Sequence, residues 1–145
     1  MNCKVVGISD KLKGSIISPE GIELQAALEI AKSDRSLSEI SSSKYKGDAL
    51  DMIQDTDADV MIEATYTDIE TAEPATSYIR KALERGMHVA TTNKGPLALF
   101  YEELAELAKD KGVGFFFEGT VMSGTPLLNL IRYALAGSFI KEIKG

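Results

Sequence analysis

The apolar residues of this chain fall into two rhythms. Compact blocks of five or six residues, rich in β-branched or aromatic side chains and closed by turn chemistry, stand at 3–8, 60–64, 87–91 and 113–118. Blocks of that kind predict buried strands of a parallel sheet, in which both faces are covered and polar alternation disappears. Between them the apolar spacing lengthens to three and four. After Pro74, the residues Tyr78, Ile79, Ala82 and Leu83 make one stripe of a helix that Gly86 stops; after Pro96, Leu97, Phe100, Leu104, Leu107 and Ala108 repeat the pattern up to Gly112. Proline suits a first helical turn, where its missing N–H has no partner to lose, and glycine suits the position just past the last.

A third helix is predicted to open at Thr125 and Pro126, with Thr125 as its cap, and to end at Gly137. Leu127, Leu128, Leu130, Ile131, Ala134 and Leu135 cover most of its circumference, so it is expected to be buried. Two earlier helices are predicted over 20–33, amphipathic through Ile22, Leu24, Ala27, Leu28 and Ala31, and over 48–54. The stretch SDRSLSEISSSKYKG at 33–47 reads as a polar loop, and SFIKEIKG at 138–145 as the start of another strand. Strand and helix alternate with short connections. That order implies right-handed crossovers between parallel strands, hence a doubly wound α/β domain.

Composition narrows the class further. The 145 residues are 44% apolar and 26% charged, an ordinary balance for one globular domain. No run approaches the roughly 20 apolar residues of a membrane span. The opening MNCKVVGISD lacks a secretory pattern, and one cysteine makes no internal disulfide, so a cytoplasmic location is expected. A net charge of −6 repels nucleic acid and anionic membranes, and only Lys11 and Lys13 form a local basic pair. Cys3 is expected as a small buried apolar residue, and His88 to pack within its strand.

Open parallel sheets bind ligands beyond the carboxyl ends of their strands. The residues there are Ser9 and Asp10; Thr65, Tyr66, Thr67 and Asp68; Thr92, Asn93 and Lys94; and Gly119, Thr120 and the loop to Pro126. Small hydroxyls, a lysine and glycines suit a ligand carrying phosphate and ribose, because they offer hydrogen bonds without filling the crevice. Asp10 stands where dinucleotide folds place the acid that binds the adenosine ribose, a placement favouring NAD over NADP; the commoner role of an acid at a strand end is to hold a turn. Lys11 and Lys13 would take a 2′-phosphate or stay solvated. The pattern G-x-G-x-x-G occurs nowhere, and Gly112-Val113-Gly114 runs into Phe115, Phe116 and Phe117 rather than into a helix.

Three segments resemble the cofactor domain of homoserine dehydrogenase, in the same order and spacing and over nearly the whole chain: VVGISD, ADVMIEATYTDIETAEPATSYIRKALERGMHVATTNKGPLALFYEELAELA and FFFEGTVMSGTPLLNLIRYALAGSFIKEIKG. The resemblance implies a Rossmann-like NAD(P)-binding domain over 1–137 that lacks its first βα unit. Residues 138–145 would begin the junction to a substrate and dimerisation domain. It implies reduction of aspartate 4-semialdehyde to homoserine with NADH or NADPH, on the route to threonine, methionine and isoleucine. The isolated chain is then expected to be inactive, and a homo-oligomer or partner chain to complete it.

The resemblance places Thr65 at a cofactor-contacting position and Lys94 beside nicotinamide and substrate; Asp10, Tyr66 and Thr92, from their places after the strands, complete the expected cofactor-binding set. The backbone oxygens of Glu118, Val121, Ser123 and Thr125 match those that hold a monovalent cation, usually sodium, in some members. A loop leading to a Thr125 cap would need no ion. Hydride arriving at an aldehyde carbon builds charge on its oxygen, which a lysine ammonium stabilises or protonates. A loop lysine binding a phosphate or solvent is the plainer alternative for Lys94.

In the parent fold the absent first strand lies mid-sheet, so weak stability, a rearranged sheet or a strand from another chain is expected. Two rivals remain: a non-catalytic or split-enzyme nucleotide-binding subunit, and an unrelated doubly wound protein using Lys94 for phosphate.

Overall fold

A hairpin opens the fold in the computed structural model, which describes residues 3–40 and 45–144. Strand β1 (Gly7–Asp10) pairs antiparallel with β2 (Gly14–Ile17), setting Asp10 opposite Gly14. The turn follows from its residues: Asp10 Oδ1 accepts the N–H groups of Leu12 and Lys13, each at 2.8 Å, and Gly14 takes φ +87°. This corrects two expectations. The first strand lies at 7–10 rather than 3–8, and its partner is its sequence neighbour rather than the parallel sheet. Closing so short a loop costs little chain entropy, and β2 was not among the expected strands.

Helix α1 (Leu24–Ala31) is shorter than the expected 20–33, because Pro19 and Gly21 (φ +108°) hold the preceding residues in a turn. Glu23 caps it, accepting from the N–H groups of Gln25 and Ala26. Ile16, Ile22, Ala27, Ile30 and Leu37 bury a small core beneath the hairpin. Within 33–47 there is one short 3-10 turn, Leu37–Glu39, capped by Ser36; residues 41–44 lie outside the described residues. Helix α2 (Ala49–Asp55) begins at a reciprocal Asp48–Asp51 capping box, close to the expected 48–54.

The larger sheet is parallel, in the order β3 (Val60–Glu63), β4 (His88–Thr91), β5 (Phe115–Phe116). Register aligns Met61 with Val89 and Val89 with Phe115 on one face. Helices α3 (Ala75–Glu84) and α4 (Lys94–Lys111) lie together over that face, where Ile79, Leu83, Val89 and Leu104 are fully buried. The opposite face is open: Ile62 is 78% and Phe116 60% exposed. Both long helices end as expected, at Gly86 (φ +81°) and Gly112 (φ +68°). Their starts differ in detail. Pro74 is the cap residue of α3, and α4 begins two residues before Pro96 because Asn93 caps it through the Gly95 N–H.

Four expectations fail toward solvent. The third helix is reduced to α5 (Leu127–Asn129) and one π-helical turn, Leu130–Ala134, with no buried residue, because among the described residues no layer covers its apolar surface. Residues 138–144 form no strand. Cys3 is exposed, and so is His88, whose Nδ1 accepts the Gly114 N–H at 2.7 Å. Among the described residues no helix is long and apolar enough to cross a membrane.

Leu83→Ala should lower the unfolding free energy by about 2–5 kcal/mol in a urea titration, whereas Ile62→Ala on the open face should change it by no more than about 0.5 kcal/mol. Equal losses would mean that the open face is covered in solution. A second expectation concerns pH. Arg80 Nε donates to Glu103 Oε1 at 2.7 Å between α3 and α4, and this hydrogen bond holds the Glu103 carboxyl below its ordinary value. A depressed carboxyl stabilises above its unfolded pKa and loses that contribution as pH falls through the folded one. Glu103→Gln should therefore flatten the acid limb of a stability-against-pH curve and leave the alkaline limb unchanged.

Candidate functional site

The carboxyl ends of β3 and β4 turn outward in two loops that meet. After β3 come Thr65 and Tyr66, both exposed; after β4 come exposed Thr92, buried Asn93, and Lys94 as the exposed first residue of α4. Four of the expected residues thus share one edge: Thr65, Tyr66, Thr92 and Lys94. Asp10 does not join them on this sheet. It sits in the hairpin with Oδ1 engaged by its own turn.

What holds the edge together was not singled out from the sequence. Glu63 is 3% exposed and closes β3 with its carboxylate turned back toward the loops. Oε1 accepts the Thr65 N–H at 2.8 Å and the Thr65 hydroxyl, and Oε2 accepts the Thr91 hydroxyl at 2.7 Å. The Thr91 oxygen in turn accepts the Asn93 N–H at 3.0 Å. Asn93 accepts from Gly95 N–H and donates through Nδ2 to the carbonyls of Thr65 and Tyr66, at 3.4 and 3.3 Å. The signal available in the sequence was an acid inside an otherwise apolar strand, followed two residues later by threonine.

Glycine is needed where α4 begins. A Cβ at Gly95 would lie 2.7 Å from the Asp68 carbonyl oxygen and 3.0 Å from Ala72 Cβ, so the helix start and the 68–72 turn approach as closely as backbones allow. Asp68 shapes that turn, its Oδ1 accepting from Glu70 and Thr71 N–H; these bonds hold its carboxyl below the usual carboxylate range.

One hollow borders the edge and another lies beyond it. The first, of about 240 Å³, is lined by Ile62, Glu63, Thr91, Thr92, Phe116 and Gly119 among others, and its wall is almost wholly apolar. That is room for one ring rather than a whole dinucleotide. The other, about 590 Å³, lies between α4 and the 118–132 segment, walled by Tyr101, Phe115, Phe116, Phe117 and Leu128, with Arg132 at its rim. Glu118 borders both.

The loop of the expected cation site runs differently from its sequence reading. Glu118, rather than Thr125, caps the last helix, its carboxylate accepting the N–H groups of Leu128 and Asn129. A carboxylate from the turn after β5 offers two acceptors and a charge, which outcompete one hydroxyl. Of the four carbonyls, that of Glu118 accepts the Val121 N–H and that of Thr125 the Leu127 N–H. A monovalent cation would share those two oxygens with the loop's own bonds. Met122 and Ser123 carry positive φ, 55° and 52°.

A parallel sheet with helices in its crossovers and loops gathered at its carboxyl ends is the architecture of a Rossmann-like domain. Comparison with known proteins agrees. Residues 10–118 match the family model described as homoserine dehydrogenase, NAD binding domain. The NAD(+)-dependent homoserine dehydrogenase of Pseudomonas canavaninivorans is 43% identical over 144 residues, 98% of this chain and 40% of that protein. The homoserine dehydrogenase of Methanocaldococcus jannaschii is 38% identical over 142 residues, 98% of this chain and 42% of that protein. A hyperthermophilic archaeal homoserine dehydrogenase mutant in complex with NADPH superposes with a TM-score of 0.77 at 32% identity, over 91% of this chain and 39% of that one.

The chain belongs to the homoserine dehydrogenase NAD-binding domain family. It spans about two fifths of the length of these relatives.

Gly95→Ala should displace the start of α4 and cost about 1–3 kcal/mol, because the obstructing atom is a backbone oxygen that cannot rotate away. Thermal unfolding would show it; a variant as stable as the parent would mean that the 68–72 turn yields freely.

Proposed function

We propose that this chain is the nicotinamide-cofactor part of a homoserine dehydrogenase, working with NAD or NADP in the reduction of aspartate 4-semialdehyde to homoserine, a step toward threonine, methionine and isoleucine. The observation that carries the reading is the placement of Lys94: exposed, first in α4, on the same edge as Thr65 and Thr92. Family membership supports the cofactor class.

A bound nicotinamide supplies or accepts hydride. The chain's own residues do the rest. Lys94 brings an ammonium to the aldehyde oxygen, where it stabilises developing charge and delivers the proton. Thr65, Tyr66 and Thr92 line the cofactor's path along the strand ends, and Asp10 would reach the adenosine ribose through Oδ2, the oxygen its turn leaves free. The carbonyls of Glu118, Val121, Ser123 and Thr125 would hold a monovalent cation, and no step of the reaction passes through it.

Residues 1–137 would form the cofactor half and 138–145 lead toward substrate-binding and dimerising elements, supplied by a homo-oligomer or a partner chain. The open face bearing Ile62 and Phe116 and the edge of β3, unpaired among the described residues, support such completion, since parallel sheets are covered on both sides. A cytoplasmic setting suits a single unpaired cysteine.

The test replaces the matching segment of the Pseudomonas canavaninivorans enzyme with residues 7–137 of this chain. The chimera should oxidise homoserine, and Lys94→Ala should lower its kcat by about 10²–10⁴-fold. A chimera that folds and binds NAD yet works equally well without Lys94 would sink the catalytic assignment. Tight binding of AMP by the chain alone, with no preference for the dinucleotide, would favour a phosphate-binding protein instead.

A further inference from the structure

The buried carboxylate of Glu63 deserves a role of its own. Among the described residues it makes no ion pair; its hydrogen bonds come from one backbone N–H and two hydroxyls. A carboxylate 3% exposed on such partners costs desolvation that an apolar residue at the end of β3 would avoid. The geometry shows what the arrangement secures. Thr65 belongs to the loop after β3, and Thr91 ends β4, so one side chain clamps both strand ends.

Beyond Thr91 the clamp extends to Asn93 and then to the Gly95 N–H in the first turn of α4. Lys94 lies between these two residues. Each hydroxyl has one proton, and both protons point at Glu63. Thr65, exposed at the crevice, therefore turns only lone pairs outward.

We infer that Glu63 is a positioning residue with two effects: it locks the loops that carry Thr65 and Lys94 together, and it makes the Thr65 hydroxyl an obligate acceptor, suited to a ligand N–H or ribose O–H and unsuited to a phosphate oxygen. The second effect rests on the cofactor reading above; the first does not. Glutamine at position 63 keeps the shape and reverses one partner, since its amide nitrogen donates where an acceptor is needed. Thr91→Val keeps the shape and removes the bridge to β4, whereas Thr91→Ser keeps the bridge.

Amide hydrogen exchange and NADH titration on the whole chain separate the two effects. In Glu63→Gln, protection at Thr65 and Gly95 should fall about tenfold, as for one lost charged hydrogen bond, with Val89 and Leu104 unchanged. Thr91→Val should do the same at Asn93 and Gly95, and Thr91→Ser should restore it. Where the wild-type chain binds NADH, the dissociation constant should rise about tenfold in Glu63→Gln and Thr91→Val and recover in Thr91→Ser. Unchanged protection in both Glu63→Gln and Thr91→Val overturns the clamp. Lost protection with unaltered NADH affinity overturns the acceptor role. If neither NADH nor NADPH binds any form, the cofactor reading fails for the isolated chain and exchange alone decides the clamp.

Discussion

The parallel pairing of β3 with β4, in the register that sets Glu63 opposite Thr91, is the constraint on which the rest of this structure depends. Alternation along a strand means that a slip of β3 by one residue would turn Met61 out of the core and carry Glu63 to the open face. The core under α3 and α4 therefore enforces the register, through Leu83, Val89 and Leu104. The register in turn delivers the carboxylate to its three donors. Packing energy is converted into placement of polar groups at the strand ends, and the loops bearing Thr65 and Lys94 inherit that placement.

Local and distant pairing compete at the front of the chain. A strand rich in valine and isoleucine is compatible with either a parallel sheet or a hairpin, and composition does not distinguish them. Asp10 and Gly14 decide it here, because the Asp10 carboxylate collects two N–H groups and Gly14 accepts a backbone angle that a side chain would resist. The outcome separates Asp10 from the strand ends of the larger sheet. Among the described residues that sheet carries helices on one face, its other face presenting Ile62 and Phe116 to solvent.

The last segment makes the same point from the opposite direction. Six apolar residues between Leu127 and Leu135 cover a helix almost completely, yet no residue of that helix is buried. Hydrophobic pattern reports what a segment could bury. Whether it does so depends on a covering layer, which among the described residues is absent. The cap shows a similar substitution: Thr125 has the right chemistry at the right place, but Glu118 reaches the same N–H groups with a carboxylate.

By itself the sequence determined the strands of the larger sheet to within a few residues, the two long helices with their glycine ends, and the edge on which Thr65, Thr92 and Lys94 stand. These are properties of short windows: period, proline and glycine geometry, and the residues that follow a strand. Motif resemblance added the family. Only the tertiary structure decided that the first strand pairs with its sequence neighbour, that no residue of the last helix is fully buried, and that Glu63 bonds Thr91, 28 residues away in sequence. A hydrogen bond across that separation depends on register and burial, which come into being when the sheet and its helices pack.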